Sequence, residues 1–282
     1  MNTGIYTMSE KEYHSDPCDI SLSSHIAKLL LTRSPYHAYL AHPKLNPNYS
    51  PDFDDKFDLG TAAHALLLEG KSDGLVIVEA DDWRTKAAKE QRDNAHAQGK
   101  TALLLKHYAK VEHMVSAANK FLDNSELSGI FSYGKTEQTV IWDDDDIQCR
   151  ARLDYISDDR KIIIDYKTTD CAEPEAFIRR IASLGYDIQA SFYDRGIQQV
   201  SGEKPSFVFL AQETEYPYLC SLVGLSEEYL QIAEAKVSKA IAIWRDCLLN
   251  KKWPAYPNRV CYAEPNSWQR AEYERILSEG GQ

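Results

Sequence analysis

The sequence predicts a mixed α/β fold, a central mixed β-sheet flanked by helices. Three observations carry this. Residues 22–122 are dominated by helical spacing of apolar side chains, residues 137–167 switch to three strand-like runs joined by tight acidic turns, and a capped amphipathic stretch opens after 226. Helical periods on both sides of a block of strands are the pattern of a layered α/β or α+β architecture.

Residues 22–40 read as a helix broken at Ser34-Pro35, because the residue before proline is pushed out of the helical region. Two prolines and several acids make 46–55 a loop. Asp58 is an N-cap candidate for a helix over 59–69 that stops at Gly70. A short strand is expected at 76–79. Residues 84–98 form a charged helix ending at Gly99, too polar for deep burial and therefore a surface arm; 103–122 continue as a helix. The strands are 137–142, 148–156 and 161–167, with turns at 143–146 and 157–160. Helices at 174–183 and 185–200 precede a strand pair at 206–212 and 218–225. Ser226 caps a long helix to about Asn250, with Glu227 and Glu228 well placed in its first turn. One domain spanning 1–282 is expected: a helical N-terminal part to about 125, a core over about 126–225, and a C-terminal helix and tail over about 226–282.

Composition narrows the function. Forty-three acidic against 32 basic residues leave a net charge of −11, so no global positive field holds nucleic acid, and any anionic substrate is gripped locally. An apolar share of 43% excludes a disordered chain. The cysteines at 18, 149, 171, 220, 247 and 261 show neither C-x-x-C nor zinc spacing and are expected to be reduced thiols of a cytoplasmic protein. No signal-like segment and no apolar run near the ~20 residues of a membrane span is present.

The stretch 152–167 is the most informative. Side chains alternate along a strand, so Asp165 and Lys167 share a face, and Ile162, Ile163 and Ile164 mark that strand as buried. Asp154, eleven residues earlier, returns across a turn to lie beside Asp165. Two such carboxylates repel unless a cation sits between them, and oxygen ligands suit Mg²⁺ or Mn²⁺. A lysine beside them can orient or deprotonate water, or stabilise charge on a phosphate. An isolated D-x-K is more often a structural ion pair; Asp154 and the buried strand argue against that here. Gly60 and His64 are four apart on one helix face, as are Gln189 and Tyr193. For these, core packing is the rival reading.

Taken in order, Gly60-Thr-Ala-Ala-His64, Glu137, Asp154, Asp165-Tyr166-Lys167, Gln189-Ala-Ser-Phe-Tyr193 and Trp253-Pro-Ala-Tyr256-Pro resemble the PD-(D/E)xK nuclease superfamily. The resemblance is strongest to RecE-like exonucleases of the exonuclease VIII type and phage recombination exonucleases, over residues 21–257. Leu153 stands where the superfamily motif has proline. The resemblance implies a restriction-endonuclease-like fold with catalytic residues Asp154, Asp165, Lys167 and Glu137. It implies that His64, Asp154, Asp165 and the backbone carbonyl of Tyr166 hold Mg²⁺, with Mn²⁺ able to substitute. Gln189, Tyr193, Ser34 and Arg33 become phosphate or DNA contacts.

The activity implied is digestion of the 5′-ended strand of linear double-stranded DNA, leaving 3′ tails for recombination. Its partners would be duplex ends and a single-strand annealing protein. Its form would be a homo-oligomeric ring, trimer or tetramer, in the cytoplasm of a bacterium or phage host. An endonuclease or flap nuclease of the same fold, or a catalytically silent nucleic-acid-binding protein, are the alternatives. An iron–sulfur cluster is not expected, because Cys220, Cys247 and Cys261 are too far apart. Arg84, Lys86, Lys89, Arg92, Arg179 and Arg180 are either DNA contacts or solvated charge, and 143–146 is expected to be a solvated turn.

Overall fold

The computed structural model describes residues 1–50, 58–70 and 74–279. Positions 51–55 of the expected loop, and the side chain of Asp58, lie outside what is described. Chain order begins with β1 (Gly4–Thr7), α1 (Glu10–His14), β2 (Leu22–Ser23), α2 (Ser24–Thr32), α3 (Pro35–Ala41) and α4 (Asp58–His64). It continues through β3 (Leu75–Val78), α5 (Lys86–Ala97), β4 (Thr101–Leu104) and α6 (Leu105–Asp123) to the long strands β5 (Gly134–Asp144), β6 (Ile147–Ser157) and β7 (Ile162–Thr169). Then come α7 (Pro174–Leu184), α8 (Tyr186–Ser201), β8 (Ser206–Glu213), β9 (Cys220–Gly224), α9 (Glu227–Asn250) and α10 (Ser267–Glu279).

Among the described residues, seven strands form the central mixed sheet. Its order is β1-β5-β6-β7-β8-β9, with β2 laid parallel to the start of β6. Only β7 and β8 are parallel within the main path, and α7 and α8 cross over between them. That crossover is why Ile163 and Ile164 are buried and Ile162 half-buried: β7 has neighbours on both edges and helices on both faces. One face packs under α2, α8 and α9, with Trp142, Phe192, Phe209 and Trp244 at the centre. The other packs under α4 and α6, with Met114, Tyr155, Ile164, Tyr166 and Leu210.

Several local expectations are corrected. Residues 103–104 belong to β4, and the helix starts at Leu105; Thr-Ala-Leu-Leu is a short apolar run whose period is ambiguous, and pairing with β3 decides it. Helix α5 is not a free arm. It buries Ala88 and Ala95 and lays Arg92 over the Trp83 ring, while Lys86, Lys89, Glu90 and Asp93 stay exposed. The 143–146 turn is not wholly solvated either: the strand runs on through Asp144, which is buried against Arg195 (Oδ2–Nε 2.5 Å). The N-terminal part is helical but also supplies β1 and β2 to the main sheet. The Trp253–Pro257 stretch docks on α3, where the Tyr36 N–H donates to the Pro254 carbonyl (3.0 Å) and Trp253 packs on Tyr39 and Trp244. Beyond it, α10 buries no residue.

Candidate active site

Alternation along β6 breaks at one place. Odd-numbered Ala151 and Leu153 face the α8 side, yet Tyr155 faces the α6 side and Ile156 the α8 side. Directly opposite, Glu137 of β5 has φ = 56°, a left-handed backbone that non-glycine residues adopt at a cost of order 1 kcal/mol. The register is the same on both sides, Thr136 against Tyr155 and Gln138 against Leu153, so no residue is inserted. The ladder opens at Glu137 and Asp154, and both carboxylates leave the regular sheet there. The β6–β7 ladder also stops at Tyr155–Ile164, one step short of Asp154 and Asp165. In place of a ladder bond, the Tyr166 N–H donates to Asp154 Oδ2 (2.9 Å).

Helix α4 covers this opening. A Cβ on Gly60 would come 3.0 Å from Thr168 Oγ1, so the absence of a side chain lets the helix rest directly on β7. One turn later His64 reaches over both carboxylates, Nε2 to Asp154 Oδ2 at 3.0 Å and Nδ1 to Glu137 Oε1 at 3.3 Å. A π turn, Ala65–Glu69, follows immediately, a distortion common at functional sites. Burial disfavours a charged imidazole, but Asp154, Glu137 and Asp165 outweigh it and push the His64 pKa up to about 9.

On the α8 side, Asp165 is fully buried. Gln189 Nε2 donates to its Oδ1 (2.7 Å) and to the Tyr193 hydroxyl (3.2 Å), so the glutamine and tyrosine orient the carboxylate. Lys167 Nζ sits 2.6 Å from Asp165 Oδ2 and 5.1 Å from the centre of the Tyr186 ring. Burial pushes Asp165 up to about 7, opposed by Lys167 and reinforced by Asp154. Lys167 goes the other way: burial disfavours its charge, but Asp165 and Asp154 raise it to about 12, so it is an ammonium at neutral pH. Burial opposes the charge on Asp154 too, yet His64 and Lys167 keep that carboxyl below its ordinary value.

These residues fit a divalent cation. His64, Glu137 and Asp154 each offer a ligand atom within 4.8 Å of the others. Among the described residues, Glu137 Oε1 and Asp165 Oδ2 are buried without a hydrogen bond, Glu137 Oε1 facing only His64 Nδ1 at 3.3 Å and Asp165 Oδ2 only the ammonium of Lys167. Unsatisfied buried carboxylate oxygens beside an imidazole are what a hard cation would complete.

The family model for the PDDEXK-like domain of unknown function (DUF3799) matches residues 27–265, a span that contains every one of these side chains. The chain belongs to that PDDEXK-like family. Among solved structures it is similar to a candidate exonuclease from Eubacterium rectale, at 15% identity and a TM-score of 0.62, covering 95% of this chain and 98% of the other. That overlap shows a shared fold. It also aligns with an alkaline exonuclease from Laribacter hongkongensis at 14% identity over 68% of this chain and 97% of that one, but with a TM-score of 0.29 the overlap is too loose to bear on the fold. No curated protein matches the sequence.

Around the PDDEXK-like site the structure gathers His64, Glu137, Asp154, Asp165, Lys167, Gln189 and Tyr193. Tyr166 lies between the acid and the lysine; its hydroxyl donates to Gln212 Oε1 (2.5 Å). Ser34 and Arg33 are not brought in. Ser34 Oγ caps α3 and meets His37 Nδ1 at 2.7 Å, which leaves it structural in this position, and neither residue bonds to the carboxylates. Five of the six basic candidates pair with neighbouring acids: Arg84 with Asp82, Lys86 with Glu90, Arg92 with Asp93, Arg179 with Glu175 and Arg180 with Asp170.

Sequence reasoning passed over two residues. Arg152 Nε donates to Glu137 Oε2 (2.6 Å) and its Nη1 to the Met8 carbonyl (2.9 Å), fixing the strained acid. Its position two before Asp154 was the available signal. Tyr186, three before Gln189, backs Lys167.

Proposed function

We propose that this protein is a divalent-metal-dependent exodeoxyribonuclease that digests the 5′-ended strand of linear duplex DNA and leaves 3′ single-stranded tails. The observation that carries the reading is the joining of Asp154, Asp165 and Lys167 to His64 and Glu137 at one break in the sheet. Asp154, Asp165, Glu137 and His64, with the Tyr166 carbonyl, would hold Mg²⁺, or Mn²⁺ in its place. Bound there, the cation supplies Lewis-acid activation of water and neutralises phosphate charge.

The chain's own groups do the rest. Without compensation the carboxylates repel a phosphodiester, so anion binding waits on their neutralisation. Lys167, held as an ammonium by Asp165 and the Tyr186 ring, stabilises negative charge gathering on the phosphate as water adds to phosphorus and a P–O bond breaks. Gln189 and Tyr193 keep Asp165 in place. His64, charged between two acids, would have to release its proton to solvent before it could serve as a ligand.

The same reading makes residues 1–282 one nuclease domain and the working form a ring of three or four copies. In a ring, basic groups can line a channel while the −11 charge faces outward. Its partner would be a single-strand annealing protein, and its place the cytoplasm. Among the described residues no helix is long and apolar enough to cross a membrane.

Linear duplex labelled at either 5′ or 3′ ends, with Mg²⁺, tests the proposal beside a covalently closed circle. The expected result is early loss of the 5′ label, a persisting 3′ tail and an intact circle. Cutting of the circle would replace the exonuclease by an endonuclease, and no nucleotide release with any divalent ion would overturn the enzyme reading.

A further inference from the structure

On the face of β7 that presents Asp165 and Lys167, the next residue is Thr169, about 7 Å further along the strand, a stride comparable to one nucleotide. A cavity of about 250 Å³ opens there, lined in part by Thr168, Thr169, Phe177, Arg180, Leu184 and Tyr186. It has two kinds of wall. The apolar wall is rigid: the Tyr186 ring lies nearly parallel to Phe177 (5.9 Å, 28°) and against Phe209 (5.5 Å). The polar wall is Arg180 with Asp170, which is also in the lining. Arg180 Nη1 donates to Thr169 Oγ1 (2.9 Å) and pairs with the exposed Asp170 carboxylate, which an incoming phosphate displaces or with which it shares the guanidinium. Among the described residues, Nε and Nη2 of that guanidinium make no hydrogen bond, and its side chain is 43% exposed. An aromatic platform opposite a guanidinium with donors to spare is the arrangement that takes an unstacked nucleotide, base on the ring and phosphate on the fork.

We propose that this cavity is a subsite for the unpaired terminal nucleotide adjoining the scissile phosphate, its base against Tyr186 and its phosphate on Arg180. Its place in turnover rests on the nuclease reading, whereas occupancy of the cavity does not. The Tyr186 ring is both in the cavity wall and in contact with Lys167 Nζ, so the cavity adjoins the lysine.

The experiment is equilibrium titration of the full chain with a deoxynucleoside 5′-monophosphate and, separately, inorganic phosphate, both in EDTA so that no cleavage occurs. Wild type is expected to hold the nucleotide at least about tenfold more tightly than phosphate, and Arg180→Gln and Tyr186→Leu to weaken it about tenfold each. Arg180→Gln, a substitution at a partly exposed side chain, guards against misfolding of the tyrosine variant. On linear duplex with Mg²⁺, Arg180→Gln should raise KM about tenfold with kcat nearly unchanged. Equal binding of nucleotide and phosphate, or Arg180→Gln indistinguishable from wild type, overturns the subsite. Tight, Arg180-dependent nucleotide binding by a protein that cuts no DNA keeps the nucleotide site and overturns only the nuclease reading.

Discussion

Two arginines, Arg150 and Arg152, leave β6 two residues apart, and each meets a carboxylate that a histidine also approaches. Around Arg150 every carboxylate oxygen is used. Asp16 Oδ1 accepts from the Cys18 N–H (3.1 Å) and Ser21 Oγ (2.7 Å). Oδ2 accepts from the Ser21 N–H (2.8 Å) and faces His42 Nε2 (3.2 Å) and Arg150 Nη1 (3.1 Å). Burial works against that charge, but His42, Arg150 and Ser21 overcome it and hold Asp16 far below the usual carboxylate range. Around Arg152 the same residue types are left unfinished. Glu137 Oε1 is buried with His64 Nδ1 at 3.3 Å and no backbone or hydroxyl donor, and burial pushes its pKa up, as it does for Asp165. A carboxylate with all its lone pairs engaged is a brace; one with a lone pair to spare is a ligand.

Breaking the unfinished side should abolish chemistry and spare the fold. Asp165→Ala and Asp154→Ala are each expected to lower cleavage of end-labelled duplex by about a thousandfold or more while the protein still melts cooperatively. A near wild-type rate at saturating Mg²⁺ in either variant would remove the metal-site assignment. Breaking the finished side should do the reverse. Asp16→Asn leaves Arg150 and His42 buried without their anion, at a cost of about 3–5 kcal/mol in urea unfolding, with the metal midpoint of cleavage unchanged in the protein that remains folded.

The pH dependence follows from the sign of the Asp16 shift. Its folded pKa is depressed, so its contribution is present above the ordinary carboxylate value of about 4 and is lost as pH falls through the lower folded value. The stability gap between wild type and Asp16→Asn should therefore be constant from pH 8 to 5 and shrink on further acidification. A gap that grows in acid would contradict the brace.

Smaller effects sharpen the contrast within the site. Lys167→Ala should cut turnover about a hundredfold with metal affinity nearly intact, because the ammonium acts on phosphate charge; unchanged turnover would return it to a structural ion pair. His64→Ala should raise the Mg²⁺ concentration for half-maximal cleavage about tenfold, with only a small change in melting temperature. A lowered melting temperature with an identical metal midpoint would instead mark His64 as a packing residue.

Much of this was legible because it is local. The three long strands, the capped helix after Ser226 and the break at Ser34-Pro35 follow from period and capping, and the acid–lysine spacing on β7 follows from alternation. What was not legible depends on partners far away in sequence. Asp16 is bonded to a residue 134 positions on, and Arg152 to the Met8 carbonyl, 144 positions back. Strands β1 and β2 are too short to announce themselves and exist through pairing with β5 and β6. The hinge at Glu137 and Asp154 violates strand period, so pattern reading is weakest at the very residues that matter. Ser34 is the opposite case: its hydroxyl, of a type that suits an anion, here caps its own helix.

Helix α10, thirteen residues without one buried side chain, leaves Trp268, Tyr273, Ile276 and Leu277 in solvent. A lone helix of that length is marginal in water, since only its backbone bonds, the Asn266 cap and the exposed Arg275 pairs with Glu272 and Glu279 oppose fraying. Its amide protons should therefore trade with solvent deuterium almost as fast as those of an unfolded peptide. Those of α9, pinned by Val237, Ile241 and Trp244, should trade only through global opening. That built-in difference in exchange makes the C-terminal segment a sensitive reporter: anything that settles on it, another copy or a different molecule, would slow its exchange by orders of magnitude while leaving α9 unchanged.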